Sequence, residues 1–342
     1  MTNQMIKRIG YACKTSRLNS KGQIESIPEL NSKATTVAWL NRQTRSIAEQ
    51  KLWDLMTHNI AATKQVMEYL ATLEPSLRMF RISSDLLPVY TESNWSYFWQ
   101  QTDVKDYAEK YFSEVGNIAR DNNIRLSFHP GQFCCLASDN EDVVRRSIEE
   151  FEYHADMARW MEFGKHFQDM KINVHIAGRR GVEGIKIAYR QLSPEARNCI
   201  TIENEEMSHG LDECLELSDT IPIVLDIHHH LIYNEEYIQI SDNRINQIIN
   251  SWRGIRPTLH YSVSREDVLV NHSLNEKPNV QLLLENGYKK SKLRAHSEYF
   301  WNNAVNLWAL EFLDKFDIMC EVKSKNLASF ALHRLAKQHQ LI

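Results

Sequence analysis

The sequence predicts a (βα)8 barrel formed as one domain over residues 1–342. Three observations carry this prediction. Eight short apolar runs, rich in Val, Ile, Leu and Phe, recur along the chain. Stretches with helical periodicity separate them. No strand is left over, and neither a G-x-G-x-x-G after the first strand nor a P-loop is present, which disfavours an open doubly wound sheet. Strand–helix alternation implies parallel strands joined by right-handed crossovers, and eight such units close most simply into a barrel.

The eight runs are Arg8–Ala12, Leu77–Ser84, Ile124–Pro130, Lys171–Gly178, Cys199–Glu205, Ile221–His229, Arg256–Ser262 and Asp317–Lys323. Their near-continuous apolar character suits strands covered on both faces. Between them, Thr44–Leu73 places Ile47, Leu52, Leu55, Met56, Val66, Met67 and Leu70 at helical spacing. Ser138 through Glu141 fits a capping box, in which the serine oxygen and the glutamate satisfy the end N–H groups. Ser193-Pro194 fits an N-cap followed by proline at the first helical position. Ser241 or Asp242 opens a helix that Gly254 closes. Tyr299–Leu313 and Lys325–Lys337 are further amphipathic stretches. The exception is Val263–Ala295, too long for an ordinary barrel loop and polar, with Lys289, Lys290, Lys292 and Arg294.

Composition narrows the class. Charged residues at 25% and hydrophobic residues at 43% are ordinary for a globular protein, and 11 Gly with 8 Pro exclude collagen-like or low-complexity chains. A formal charge of −4 excludes a strongly basic chain but leaves room for a local basic surface. The six cysteines form no C-x-x-C pair and read as reduced, largely buried thiols of a cytoplasmic protein. Met1–Gly10 lacks the apolar core of a signal peptide, and no run reaches the length of a membrane span.

The 14 histidines carry the chemistry. In this fold the active site lies at the C-terminal ends of the strands. His129 ends the third run, His175 lies near the end of the fourth, and Glu203 ends the fifth. Asp226 and His229 end the sixth, His260 the seventh and Glu321 the eighth. Burying so many polar groups together is costly unless one shared charge pairs with them. A cluster of two or three divalent ions supplies that charge. Imidazole and carboxylate without thiolate favour Mn²⁺, Zn²⁺ or Fe²⁺ over Mg²⁺ or Ca²⁺. Clustered ions suit phosphodiester hydrolysis. The alternatives are a metal-dependent sugar isomerase or epimerase on the same barrel, or an inactive barrel that only binds. His228 and His230 flank His229, and the pleat of a strand would point them away from it.

These residues together resemble the UV-damage endonuclease family. The motifs run in order along nearly the whole chain. They are Gly10-Tyr11, Arg81 through Pro88, His129-Pro-Gly-Gln132, Asn173-Val-His175 and Ile202-Glu203-Asn204, then Asp226-x-His-His229, Leu259 through Ser262, Arg294-Ala-His296, and Asp317 through Lys323. The resemblance implies a barrel akin to xylose isomerases and AP endonucleases. It implies nicking of double-stranded DNA immediately 5′ of a UV photoproduct or abasic site, leaving a 3′-hydroxyl. The implied cofactor is a cluster of up to three ions, usually Mn²⁺. By position, the ligands would be His129, His175, Glu203, Asp226, His229, His260 and Glu321. His296 and Lys323 would steady charge at the scissile phosphate beside Glu203. Gln132 and Phe133 would be inserted into the duplex, and Tyr11 would line the same groove. Arg179, Arg180 and the Lys289–Arg294 run, Lys290 included, would face phosphate. No protein partner is implied, and a monomer suffices.

Three positions depart from the family pattern. Glu92 stands where a His after the second strand is common, and can itself ligate a divalent ion. Phe133 replaces a Tyr, keeping the wedge and losing the hydroxyl. Thr258 replaces a Lys that many members modify by carboxylation, and threonine cannot carry that modification.

Overall fold

The computed structural model describes residues 6–131 and 133–342. Eight parallel strands close a barrel: β1 Ile9–Ala12, β2 Met79–Arg81, β3 Arg125–Phe128, β4 Lys171–His175, β5 Ile200–Glu203, β6 Ile223–Asp226, β7 Thr258–Tyr261 and β8 Asp317–Cys320. Each strand pairs with its neighbours in chain order, and β8 returns to β1 with Ile318 opposite Ile9 and Cys320 opposite Tyr11. Each barrel strand falls inside its predicted run but is shorter. The surplus residues mostly lie beyond the strands' C-terminal ends, where the loops carry polar side chains. A small antiparallel pair, Ser16–Leu18 with Ile24–Ser26, lies outside every run, so two strands are left over.

One helix or more follows each strand. The main ones, in order, are Arg45–Ala71, Thr102–Asp121, Glu141–Trp160, Gly181–Gln191, Leu211–Leu215, Asn243–Ser251, Asn303–Glu311 and Asn326–Gln338. Their start signals are local and chemical. Thr44, Ser193 and Asp242 each accept a backbone N–H of the first turn through a side-chain oxygen. The capping box at Ser138 does not form. Asn140 caps the helix instead, accepting from the N–H groups of Asp142 and Val143, while Ser138 accepts from Asn140 N. Residues 241–254 are helical only to Ser251, and Gly254, at φ +89°, lies in the turn beyond. The Tyr299–Leu313 stretch becomes helical only at Asn303, because Asn302 holds the N–H of Val305.

The sixth run carries the largest correction. Its strand stops at Asp226, whose Oδ1 accepts from the N–H groups of His228 and His229, both at 2.7 Å. That caps a helix over Ile227–Asn234, so the three histidines lie on a helical turn and not on a pleat. Residues 263–295 are also more than a polar loop. They carry two short helices, Val280–Glu285 and Lys290–Leu293, and a small apolar cluster of Leu269, Val280 and Leu293 against Leu231 and Ile232.

Close approach of helices sets a further constraint at Gly116, in the middle of Thr102–Asp121. A Cβ there would lie 2.0 Å from the carbonyl oxygen of Met161. Helix propensity favours Ala over Gly by about 1 kcal/mol. The contact outweighs that, because the obstacle is backbone. Gly116→Ala is expected to destabilise the protein by about 1–3 kcal/mol in urea denaturation. A neutral or stabilising result would show that the two helices move apart freely.

The opposite, N-terminal end of the barrel is closed by charge. Asp317, fully buried at the start of β8, accepts from Arg8 N at 2.9 Å and Arg256 Nε at 2.8 Å through Oδ1. Its Oδ2 accepts from a terminal nitrogen of Arg125 at 2.6 Å. The six cysteines are unpaired, and Cys134, Cys199, Cys214 and Cys320 are buried. Among the described residues, no helix is long and apolar enough to cross a membrane.

Candidate functional site

The strand ends bring the sequence-predicted ligand residues to one place. Register does part of this: His175 on β4 pairs with Glu203 on β5, and Asp226 on β6 with His260 on β7. His129 follows β3, Glu321 follows β8, and His229 sits in the first turn of the helix that Asp226 caps.

Glu203 is the hub. Its Oε2 lies 3.2 Å from His129 Nε2, 3.5 Å from His175 Nε2 and 3.1 Å from His260 Nδ1. Its Oε1 lies 3.5 Å from His229 Nδ1. His260 Nδ1 is also 3.2 Å from Glu321 Oε1, and His229 Nε2 is 3.7 Å from Asp226 Oδ2. Two ligand sets result: His129, His175 and Glu203, and then Glu203, Asp226, His260 and Glu321. Within each set the ligating atoms all lie within 4.8 Å of one another.

The donor chemistry fits a cation. Glu203 Oε1, Asp226 Oδ2 and His260 Nδ1 are buried without a hydrogen-bond partner. Buried polar atoms are almost always paired, so three orphans in one cluster mark a place where something positive belongs.

The electrostatics agree. Burial pushes Glu203 up, but His260, His175 and His129 outweigh it and hold the carboxyl well below its ordinary value. Glu321 is likewise low, because Arg81 and then His260 overcome burial. Asp226 goes the other way, pushed up to about 8 by burial and by Glu203 and Glu321, despite His229. The protein without a cation therefore keeps a proton among its carboxylates. Burial depresses His229, yet Asp226, Glu203 and Glu206 raise it to about 9. His260, dominated by burial, falls to about 4.

Several supporting residues were given no role by sequence reasoning, although Arg81, Asn173 and Asn204 stand in its motifs. Asn173 Nδ2 donates to Glu203 Oε2, and Arg81 donates to Glu321 Oε1. Asn204 stitches to the backbone of Asp226 through Oδ1 and Nδ2, at 2.8 and 3.0 Å. Lys171 is buried inside the barrel with Nζ 2.9 Å from His260 Nε2, while Thr258, also buried, occupies β7 two residues before that histidine. Glu206 reaches His229 Nε2 at 3.6 Å. The signal available was a charged or amide residue interrupting an apolar run, as at Lys171 and Asn173. The partner it would find across the barrel was not legible.

His296 joins the cluster from the long segment after β7. Its Nδ1 bonds the carbonyl of Glu321 at 2.8 Å, and it lines a cavity of about 500 Å³ with Arg81, His129, His175, Glu206, His229 and Glu321. An adjoining opening of about 790 Å³ is bordered by Phe133, whose side chain is exposed. Gln132 lies outside the described residues.

Other predicted site residues lie elsewhere. Glu92 turns its carboxylate onto Asn94 N and Nδ2, at 2.9 and 3.0 Å, and joins neither ligand set. Tyr11 is fully buried, its hydroxyl 2.9 Å from Thr15 Oγ1 and its ring edge-on to Phe80, so it lines no groove. Lys323 pairs at the surface with Glu298 at 3.1 Å. Arg179 pairs with Asp139 at 3.1 Å, and Arg180 donates to the Asp139 carbonyl. Lys290 pairs with Glu235 at 3.0 Å and donates to the carbonyl of Tyr233. In each case a nearer polar partner in space engages the side chain.

Comparison with known proteins follows the same line. The family profile described as UV-endonuclease UvdE matches residues 7–341. A UV DNA damage endonuclease of Bacillus cereus (strain G9842) is 25% identical over 342 residues, covering 96% of this chain and 94% of that protein. One from Clostridium perfringens (strain 13 / Type A) is 24% identical over 334 residues, covering 94% and 69%. The crystal structure of SacUVDE superposes with a TM-score of 0.73 at 23% identity, over 98% of this chain and 99% of that one. Endonuclease IV from Thermus thermophilus shares the barrel at a TM-score of 0.50 and 15% identity, over 81% and 93%.

Proposed function

This chain belongs to the UV-endonuclease UvdE family, and we propose that it is a metal-dependent repair endonuclease that nicks UV-damaged DNA immediately 5′ of the lesion and leaves a 3′-hydroxyl. The observation that carries the reading is the set of orphaned ligand atoms around Glu203. The two ligand sets overlap at Glu203, so His129, His175 and Glu203 would hold one ion, and Glu203, Asp226, His260 and Glu321 would hold a second. His229 and His296 line the cavity beside them. Imidazole and carboxylate donors without thiolate favour Mn²⁺, Zn²⁺ or Fe²⁺, and of these the family resemblance makes Mn²⁺ the ion we expect. Bound divalent ions would supply Lewis-acid charge to the scissile phosphate and an activated water.

The protein's own residues do the rest. Glu203 and Glu321 hold negative charge in a buried pocket, and Asp226 would give up its proton to a cation retained there. His296 Nδ1 donates to the carbonyl of Glu321, which makes Nε2 of the neutral ring an acceptor, so the imidazole would steady a phosphate oxygen when it is protonated on both nitrogens. Phe133 is 85% exposed beside the cavity, an apolar wedge suited to entering a base step. A damaged step costs less to unstack, which gives selectivity without reading sequence. A small-sugar pocket has no use for such a wedge. Abasic sites, which also unstack easily, belong to the same expectation, as do a monomeric state and a cytoplasmic location.

The test is nicking of UV-irradiated supercoiled plasmid. Mn²⁺ should convert irradiated plasmid to open circles, unirradiated plasmid should stay supercoiled, and chelation should stop the reaction. Equal nicking of both plasmids, or none with any of Mn²⁺, Zn²⁺ and Fe²⁺, would overturn the reading.

A further inference from the structure

We propose that Arg294 is a phosphate-binding residue at the mouth of the site and that Glu206 positions it there. The inference rests on the DNA reading above and names a substrate contact within it. Arg294 ends the short helix Lys290–Leu293, two residues before His296. A terminal nitrogen of its guanidinium lies 2.7 Å from Glu206 Oε1, and Glu206 Oε2 faces His229 Nε2 at 3.6 Å. The Glu206 side chain is 13% exposed and lines the cavity, whereas the Arg294 side chain is 45% exposed. The pair therefore spans from the wall of the site to solvent.

The charge pattern calls for a cation at this point. The site gathers Glu203, Asp226 and Glu321, with Glu205 and Glu206 at its rim. Bound divalent ions would offset Glu203, Asp226 and Glu321, but Glu205 and Glu206 at the rim would still repel an approaching phosphodiester unless a positive group stands beside them. Arg81 is spent on Glu321 inside the pocket. Lys290, Lys323 and Arg179 are held by Glu235, Glu298 and Asp139, none of which lines the cavity. Arg294 is held by an acid that does. A guanidinium has five N–H donors in a planar fork, so a contact with Glu206 leaves others for a phosphate oxygen. Glu206 thereby fixes the fork without consuming it, and its own charge is offset locally.

The experiment compares wild type, Arg294→Ala, Arg294→Lys, Glu206→Gln and the Arg294→Ala/Glu206→Gln double variant. Affinity for an irradiated duplex is read by fluorescence anisotropy across a salt series with chelator present, and nicking is followed with Mn²⁺. Arg294→Ala should weaken binding about tenfold and raise KM more than it lowers kcat. Its log affinity against log salt should lose about 0.9 of slope, one phosphate contact. Arg294→Lys should recover the slope but only part of the affinity. Glu206→Gln should reproduce part of the loss, and the double variant should be no worse than Arg294→Ala alone. Arg294→Ala binding within twofold of wild type with an unchanged slope overturns the proposal. Additive losses in the double variant, with weaker Mn²⁺ binding by calorimetry for Glu206→Gln, overturn the role given to Glu206. A wild-type protein that ignores irradiated DNA would instead bring down the functional reading, so the two failures are distinguishable.

Discussion

Glu203→Gln should reduce nicking of irradiated DNA by about a thousandfold or more, a loss on the scale of removing a preorganised charge from a reacting centre. Four imidazoles lie within 3.5 Å of this carboxylate, and it is the member common to both ligand sets. Glutamine keeps the shape but removes the charge. It also brings an N–H₂ donor against nitrogens that must present lone pairs to an ion. Calorimetric titration with Mn²⁺ should show fewer ions bound, and far-ultraviolet circular dichroism should be unchanged. Activity within tenfold of wild type, with full Mn²⁺ binding, would remove Glu203 from the centre of the site. A milder loss is expected for Asn173→Ala. Asn173 only holds Glu203 in place, and such supporting partners typically contribute about 10–100-fold.

Asp317→Ala should destabilise the protein by about 3–5 kcal/mol, the cost of breaking a buried ion pair by removing one partner. Arg125 and Arg256 each bond the carboxylate directly, and an Arg8 terminal nitrogen stands 3.7 Å away. Removing it leaves three guanidinium groups crowded at the base of the barrel. Burial already depresses Arg8, which Arg125 and Arg256 also push down and Asp317 pulls back up. The loss would be a large share of the roughly 5–15 kcal/mol that keeps a typical protein folded. Urea denaturation measures it, with Glu298→Ala as a control, because that residue's pair with Lys323 is exposed and surface pairs contribute little. A shift at Asp317 no larger than the control's would mean that the arginines find other acceptors. Any fall in nicking should follow the fraction of folded protein, since this cluster lies at the end of the barrel away from the site.

The two ends of the barrel differed in how readily the sequence disclosed them. At the C-terminal end, His129, His175, Glu203, Asp226, His260 and Glu321 stood out because each closes an apolar run, and the fold sends all such ends to one rim. At the other end, Arg8, Arg256 and Asp317 open runs in the same way and Arg125 stands second in its run, yet nothing in the sequence said that one aspartate would serve three arginines. His229 was legible as a ligand type, but the reason for its placement was not. A strand pleat and a helical turn orient neighbouring residues differently, and the cap made by Asp226 decides between them.

By itself, the sequence determined the eight strands, the order of the barrel and the set of metal-ligand types at its mouth. Burial of a parallel strand on both faces leaves a continuous apolar run, which is a local property that any stretch of chain displays. Only the tertiary structure decided which polar side chains meet. It placed Lys171 against His260 and Arg81 on Glu321, and it tied Arg294 to Glu206. It also drew Glu92 onto Asn94, Lys290 onto Glu235 and Tyr11 into the core. The physical reason is that an ion pair or hydrogen bond is made within a few ångströms of space. Barrel closure brings residues more than two hundred positions apart, such as Arg81 and Glu321, inside that distance.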